Sequence, residues 1–163
     1  MQASKLQLEN YFVDEVSFRL KDAVLKKQNA ESNLTPQDLE IEVRLGESKN
    51  EERKRFCQIE IKPKEKRAKR FAYDFRIVLV GFFELSAECS DEDAAVLINN
   101  TAPSMLYTAA REYLLTMTGR TRYLPILLPT VLFVPEQKSA RARPGSVRAT
   151  RTSRKTTARI ETQ

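Results

Sequence analysis

Over the first 85 positions the rhythm of apolar and polar residues predicts four strands. From Leu6 to Leu20 the apolar positions are Leu6, Leu8, Tyr11, Val13, Val16, Phe18 and Leu20. Their parity changes between Leu8 and Tyr11 and again between Val13 and Val16. A one-residue slip turns every later side chain to the opposite face, so each change predicts a bend or bulge. Residues 21–38 are polar, and Thr35-Pro36-Gln37-Asp38 has the composition of a helix start. From Leu39 onward the pattern has period two instead. Leu39, Ile41, Val43 and Leu45 point one way while Glu40, Glu42 and Arg44 point the other, which predicts a half-buried strand. Gly46 to Lys54 reads as a charged turn. Phe56 to Lys62 reads as a third strand with Cys57, Ile59 and Ile61 on one face.

The fourth strand, Phe71 to Leu85, carries the strongest signal. Tyr73, Phe75, Ile77 and Leu79 line one face; Val78, Val80 and Phe82 line the other. A strand that is apolar on both faces must cover both. One side can pack on a helix, and the other needs a partner subunit or a ligand. Period two then gives way to helical spacing. Ser90 followed by Asp91-Glu92-Asp93 predicts an N-cap with acids in the first turn, and Asn99-Asn100 predicts the end of that helix. Pro103 fits the start of a second helix, along which Met105, Leu106, Ala109, Ala110, Tyr113, Leu114 and Met117 recur on one stripe and Gly119 closes the run. Tyr123 to Val134 is apolar but holds Pro125 and Pro129, which predict an extended segment lying against something. The expected architecture is α+β: a four-stranded antiparallel sheet packed against one long helix.

Charge divides the chain. Residues 138–163 hold eight basic residues and one acid, Glu161, whereas residues 1–137 hold 20 basic and 21 acidic residues. The composition of residues 138–163, rich in Arg, Thr, Ser and Ala, reads as a disordered tail beyond a folded unit of residues 1–137. Its Arg143, Arg148, Arg151, Arg154, Lys155 and Arg159 could meet the phosphates of a nucleic acid or a ribosome, although no aromatic residue is present there to stack on bases. The run Lys64-Glu65-Lys66-Arg67-Ala68-Lys69-Arg70 reads first as a solvated hairpin end. The chain has no histidine, only four glycines, and no CxxC, P-loop or GxGxxG. The commonest general base and metal ligand is therefore missing, and neither an enzyme nor a metal site is expected. Cys57 and Cys89 read as free thiols of a reducing cytoplasm. No run approaches the roughly 20 apolar residues of a membrane span.

Several segments, in order, resemble the SecB chaperone family. Ala102-Pro103-Ser104-Met105-Leu106-Tyr107, then Ala110-Arg111-Glu112 and Met117, are similar to that family's long helix. Val16-Ser17-Phe18 resembles the centre of its first strand, and Gly81-Phe82-Phe83 the end of its fourth. The similarity covers roughly residues 5–134. It implies an ATP-independent holdase, without a cofactor, that assembles as a dimer of dimers and holds unfolded or precursor polypeptides in grooves. The resemblance implies peptide-binding roles for Leu39, Ile41, Val43, Leu45, Tyr73, Phe82, Phe83, Leu124, Leu127, Leu128 and Phe133. It implies subunit packing for Met105, Leu106, Tyr107, Tyr113 and Leu114. Two departures stand out. The tail is basic where the family's is acidic and follows a second helix. Arg19 and Arg76 stand where the family presents acids to the export motor SecA, with only Glu15 retained. Reversed charge argues against that contact and favours a dedicated client, such as the antitoxin of a toxin–antitoxin–chaperone system.

Overall fold

Four strands run antiparallel in the spatial order β1-β4-β3-β2 in the computed structural model, which describes residues 3–21, 34–48, 51–68, 71–121 and 125–134. They are β1 (Leu6–Leu20), β2 (Leu39–Glu47), β3 (Lys54–Pro63) and β4 (Tyr73–Leu85). The polar stretch 22–33, Lys69-Arg70, Leu124 and the basic segment 138–163 lie outside the described residues. The two parity changes in β1 appear as register shifts against β4, between Leu8 and Asn10 and between Val13 and Glu15. Each places one extra residue, Glu9 or Asp14, opposite the partner, and so lets Leu6, Leu8, Tyr11, Val13, Val16 and Phe18 share a face despite their uneven spacing.

Thr35-Pro36-Gln37-Asp38 forms a single 3-10 turn (Pro36–Asp38) rather than a helix. The Asp38 carboxylate accepts from the Thr35 backbone N–H at 3.0 Å and from its hydroxyl at 2.6 Å. Alternation then takes over at Leu39, because a period-two pattern places its apolar half against the core only as a strand. A helical turn, Glu65–Ala68, follows β3.

The helical region differs from the two-helix expectation. Ser90 caps α1 (Asp91–Val96), its hydroxyl accepting the Asp93 N–H at 3.2 Å. Asn99-Asn100 do not end the helix. A π turn, Leu97–Thr101, carries the chain without a break into α2 (Ala102–Thr118). The wider turn accommodates Pro103, which has no N–H to offer the preceding turn. The Ser104 hydroxyl meets the Asn100 carbonyl at 2.6 Å. Gly119 ends α2 in a right-handed conformation, its N–H bonded to the Leu115 carbonyl at 2.8 Å.

The core lies between one sheet face and α2. Ile59, Ile61, Ile77, Leu79 and Phe83 from the sheet meet Leu106, Ala110 and Leu114 from the helix, all 0–1% exposed. Gly81 makes the contact close. A Cβ at that position would sit 2.7 Å from Leu106 Cδ2, so only glycine lets Leu106 settle there. Among the described residues no helix is long and apolar enough to cross a membrane.

Candidate functional site

The apolar stripe of α2 is wider than the surface that covers it. Leu106, Ala110 and Leu114 are buried against the sheet, but the adjacent row, Met105, Ala109, Tyr113 and Met117, is not. Met105 is 37% exposed and Met117 43%. With Leu8, Tyr11 and Val13 of β1 this row lines an open groove of about 620 Å³, rimmed by Thr108, Glu112 and Thr116. Its walls offer almost only hydrocarbon, sulfur and aromatic surface, and methionine adapts its shape to what it meets. Such a trough can take up apolar side chains of varied form.

The opposite edge of the sheet carries a second apolar surface. β2 pairs only with β3 among the described residues, so the backbone groups on its other side are open to an added strand. Its Val43 and Leu45 are 36% and 38% exposed on the helix side. Leu45, Arg55, Ala94, Ala95 and Ile98 line a smaller groove of about 430 Å³ between this edge and α1.

A third surface is the segment 125–134, which comes after α2. Two polar contacts fix it. The Ile126 N–H donates to the Thr118 hydroxyl at 2.8 Å, and the Tyr107 hydroxyl donates to the Pro129 carbonyl at 2.6 Å. The Tyr107 and Phe133 rings meet edge to face, 5.9 Å apart. Burial pushes the Tyr107 hydroxyl up to about 12, so it stays a neutral donor. Anchored in this way, the segment buries Ile126 and Leu128 but leaves Leu127, Leu132 and Val134 exposed.

The sheet face turned away from the helix combines a phenylalanine patch with an ion-pair ladder. Phe12, Phe82 and Phe56 on neighbouring strands are 38–45% exposed, and Phe56 lies over Gly46, where a Cβ would be 2.0 Å from its ring. Beyond them, Arg76 donates to Glu60 at 2.8 and 3.1 Å and to Glu15, while Lys62 reaches Glu60 and Glu40 at 3.3 Å each. The hydrogen bonds from Arg76 hold the Glu60 carboxyl down at about 2, and they raise the Arg76 guanidinium in return. Cys57 is a free thiol that burial pushes up to about 12, and Cys89 is free as well.

The residues expected to bind peptide thus separate. Val43, Leu45, Phe82 and Leu127 are exposed, Ile41 and Phe133 are half-buried, and Leu39, Tyr73, Phe83 and Leu128 lie in the protomer's own core. Phe82 faces away from the others, because even and odd positions of β4 point to opposite sides of the sheet. Leu124 lies outside the described residues. Of the expected interface residues, Met105 and Tyr113 line the α2 groove, whereas Leu106, Tyr107 and Leu114 pack inside the chain. Met117, Leu8, Tyr11, Leu132, Val134 and the polar anchor Thr118 were not among the expected site residues. Met117 and Tyr11 stood in the apolar stripes, but a stripe does not tell which row is left open.

A family model described as preprotein translocase subunit SecB matches residues 1–138. No curated protein matches the sequence. Among solved structures, the Mycobacterium tuberculosis SecB-like chaperone Rv1957, in complex with a ChAD peptide from the Rv1956 HigA1 antitoxin, is similar at TM-score 0.51 and 14% identity. The similarity covers 78% of this chain and 88% of that one, and it is a likeness of fold. A Streptococcus agalactiae protein of unknown function is similar at TM-score 0.44 and 9% identity, over 79% of this chain and 100% of its own.

Proposed function

The chain belongs to the SecB family, and from that premise we propose that it is an ATP-independent holdase that binds unfolded or newly made polypeptides. The observation that carries the reading is the amount of large apolar surface left open by one protomer, on the α2 row, the β2 edge and the segment 125–134. Soluble chains that act alone cover such surface, and those that bind polypeptides keep it available.

The surfaces divide into two uses. The groove on α2, with Met105, Tyr113 and Met117, is the surface for a second copy of the chain, and it leads to a dimer of dimers. A client lies along β2 as an added strand. Backbone hydrogen bonds there demand no particular sequence, and Val43 and Leu45 accept its apolar side chains. Leu127, Leu132 and Phe133 extend the apolar path for longer clients. Exposure at Val43, Leu45, Leu127 and Leu132 supports this assignment, and Leu39, Tyr73, Phe83 and Leu128 support it only by holding the scaffold.

Export precursors and a single dedicated partner are both clients of this chemistry. The antitoxin peptide bound by the Mycobacterium tuberculosis chaperone of similar fold supports the second. So does the sheet face, where Arg76 bonds Glu60 and Glu15 and sets a cation among the acids of that face.

Aggregation of a chemically denatured protein, followed by light scattering without ATP, tests the proposal. Near-stoichiometric chain should suppress scattering, and Val43→Asp/Leu45→Asp should lose most of that suppression while melting within a degree or two of the parent. A parent chain inactive against a range of denatured clients ends the holdase reading.

A further inference from the structure

The two edges of the sheet differ in regularity. Along β1 the register against β4 shifts twice, with Glu9 and Asp14 as the extra residues. Each bulge interrupts the row of backbone groups on the free side. β2 pairs with β3 from Leu39 to Glu47 without a shift. The phase of that pairing is fixed at three places. The Lys64 N–H donates to the Asp38 carbonyl at 2.8 Å, and the Ser48 N–H donates to the Lys54 carbonyl at 3.1 Å. Pro63, which has no N–H to give, stands opposite Leu39. Bonded and non-bonded pairs alternate along an antiparallel ladder, so the even-numbered residues of β2 bond β3. The N–H and C=O groups of Ile41, Val43 and Leu45 therefore point to the free edge.

Resting on the holdase reading, we infer that this edge selects its clients by rhythm. It takes an extended segment, antiparallel to β2, that is apolar at every second residue, and those residues are the ones whose own N–H and C=O bond Ile41, Val43 and Leu45. Every strand pair of the sheet is antiparallel, which is also the more stable pairing. Side chains of directly paired residues lie on the same face. Client residues bonded to Val43 and Leu45 thus turn to the helix side, where those two side chains are exposed. The residues between them lie beside Glu40, Glu42 and Arg44, which are charged and linked: Lys62 reaches Glu40 at 3.3 Å and Glu42 at 3.9 Å, and Arg44 reaches Glu42 at 3.5 Å. A slip of one residue would set every apolar side chain of the client among those charges, so the edge fixes the frame without fixing the sequence. The client residue paired with Leu45 meets the groove of about 430 Å³ that Leu45 lines. There α1 contributes Ala94 and Ala95, whose small side chains leave room for one large apolar group.

Fluorescence anisotropy with the full chain tests the frame, using a labelled peptide of about nine residues in which Leu, Val and Phe alternate with Ser and Lys. N-methylation at each central apolar residue should weaken binding about tenfold, since it removes a donor and sets a methyl group between the strands. N-methylation at the residues between them, whose N–H groups face solvent, should cost less than about threefold. The same composition reordered with its apolar residues in one block should bind about tenfold more weakly. At one apolar position Phe should be preferred over Ala about tenfold, and Ala95→Phe, which fills the groove, should remove that preference. The proposal is overturned if the sensitive positions fall on the polar residues, if the scan is flat, if the block peptide binds as tightly, or if Ala95→Phe keeps the preference. Val43→Pro removes an outward N–H and leaves the bonds to β3 in place. If it splits the chain's own assembly and leaves peptide binding unchanged, the occupant of the edge is a second copy and the proposal falls. Aggregation suppression is measured alongside. Suppression with a flat scan overturns the frame and leaves the holdase reading standing, whereas a chain that neither suppresses aggregation nor binds the peptide ends both.

Discussion

Two rows of α2 differ by one position in sequence and by nearly everything in environment. Leu106, Ala110 and Leu114 are sealed against β3 and β4, while Met105, Ala109, Tyr113 and Met117 border an open trough. Both rows have the four-residue spacing of a buried helix face. The difference lies in what each finds opposite. Gly81 opens room for Leu106, whereas the neighbouring row passes over the bulged half of β1 and meets little that covers it. Apolar periodicity therefore marks surface which must be covered by something, without saying whether the cover belongs to the same chain.

The comparison breaks most easily on its buried side. Leu106→Ala should cost about 2–5 kcal/mol of unfolding free energy in a denaturant titration, since the site cannot collapse against a rigid sheet. A cost below about 1 kcal/mol would mean that the two rows are not energetically distinct. The next effect concerns the other face of the sheet, where ion pairs take the place of burial. The Glu60 carboxyl is held at about 2, against an ordinary value of 4.5. A lowered folded value stabilises above the unfolded one, so its contribution is complete above about pH 4.5 and is lost as pH falls toward 2. Melting temperature should drop through that window, and Glu60→Gln should make the drop shallower. An unchanged profile would show that the Arg76 pairing contributes nothing there. The smallest effect on stability is expected on the open row. Met105→Glu/Met117→Glu should leave the unfolding free energy within about 0.5 kcal/mol, yet it should shift the chain to a smaller species by light scattering. Destabilisation as large as that of Leu106→Ala would mean that the row is core.

The element types were legible because each depends on local pattern. Alternation at Leu39–Leu45 gave a strand where Thr35-Pro36 suggested a helix, and the two parity changes in β1 located both register shifts. The join between the helices was misread, since nothing local distinguishes an asparagine pair that ends a helix from one that sits in a π turn. The candidate surface was only half legible for a related reason. Val43, Leu45, Phe82 and Leu127 are exposed, while Leu39, Phe83 and Leu128 in the same runs are not. Thr118 gave no signal, because its anchoring role needs the Ile126 N–H to return to it across a turn.

The sequence by itself determined the strands and helices, the uneven charge, the lack of histidine chemistry and an excess of apolar positions, because these depend on residue type and spacing along one element. Only the tertiary structure decided which apolar rows are covered, which acids Arg76 and Lys62 pair with across the sheet, and which face Phe82 adopts relative to Val43. Those depend on distances between residues far apart in the chain, and such distances are set when the sheet closes over the helix.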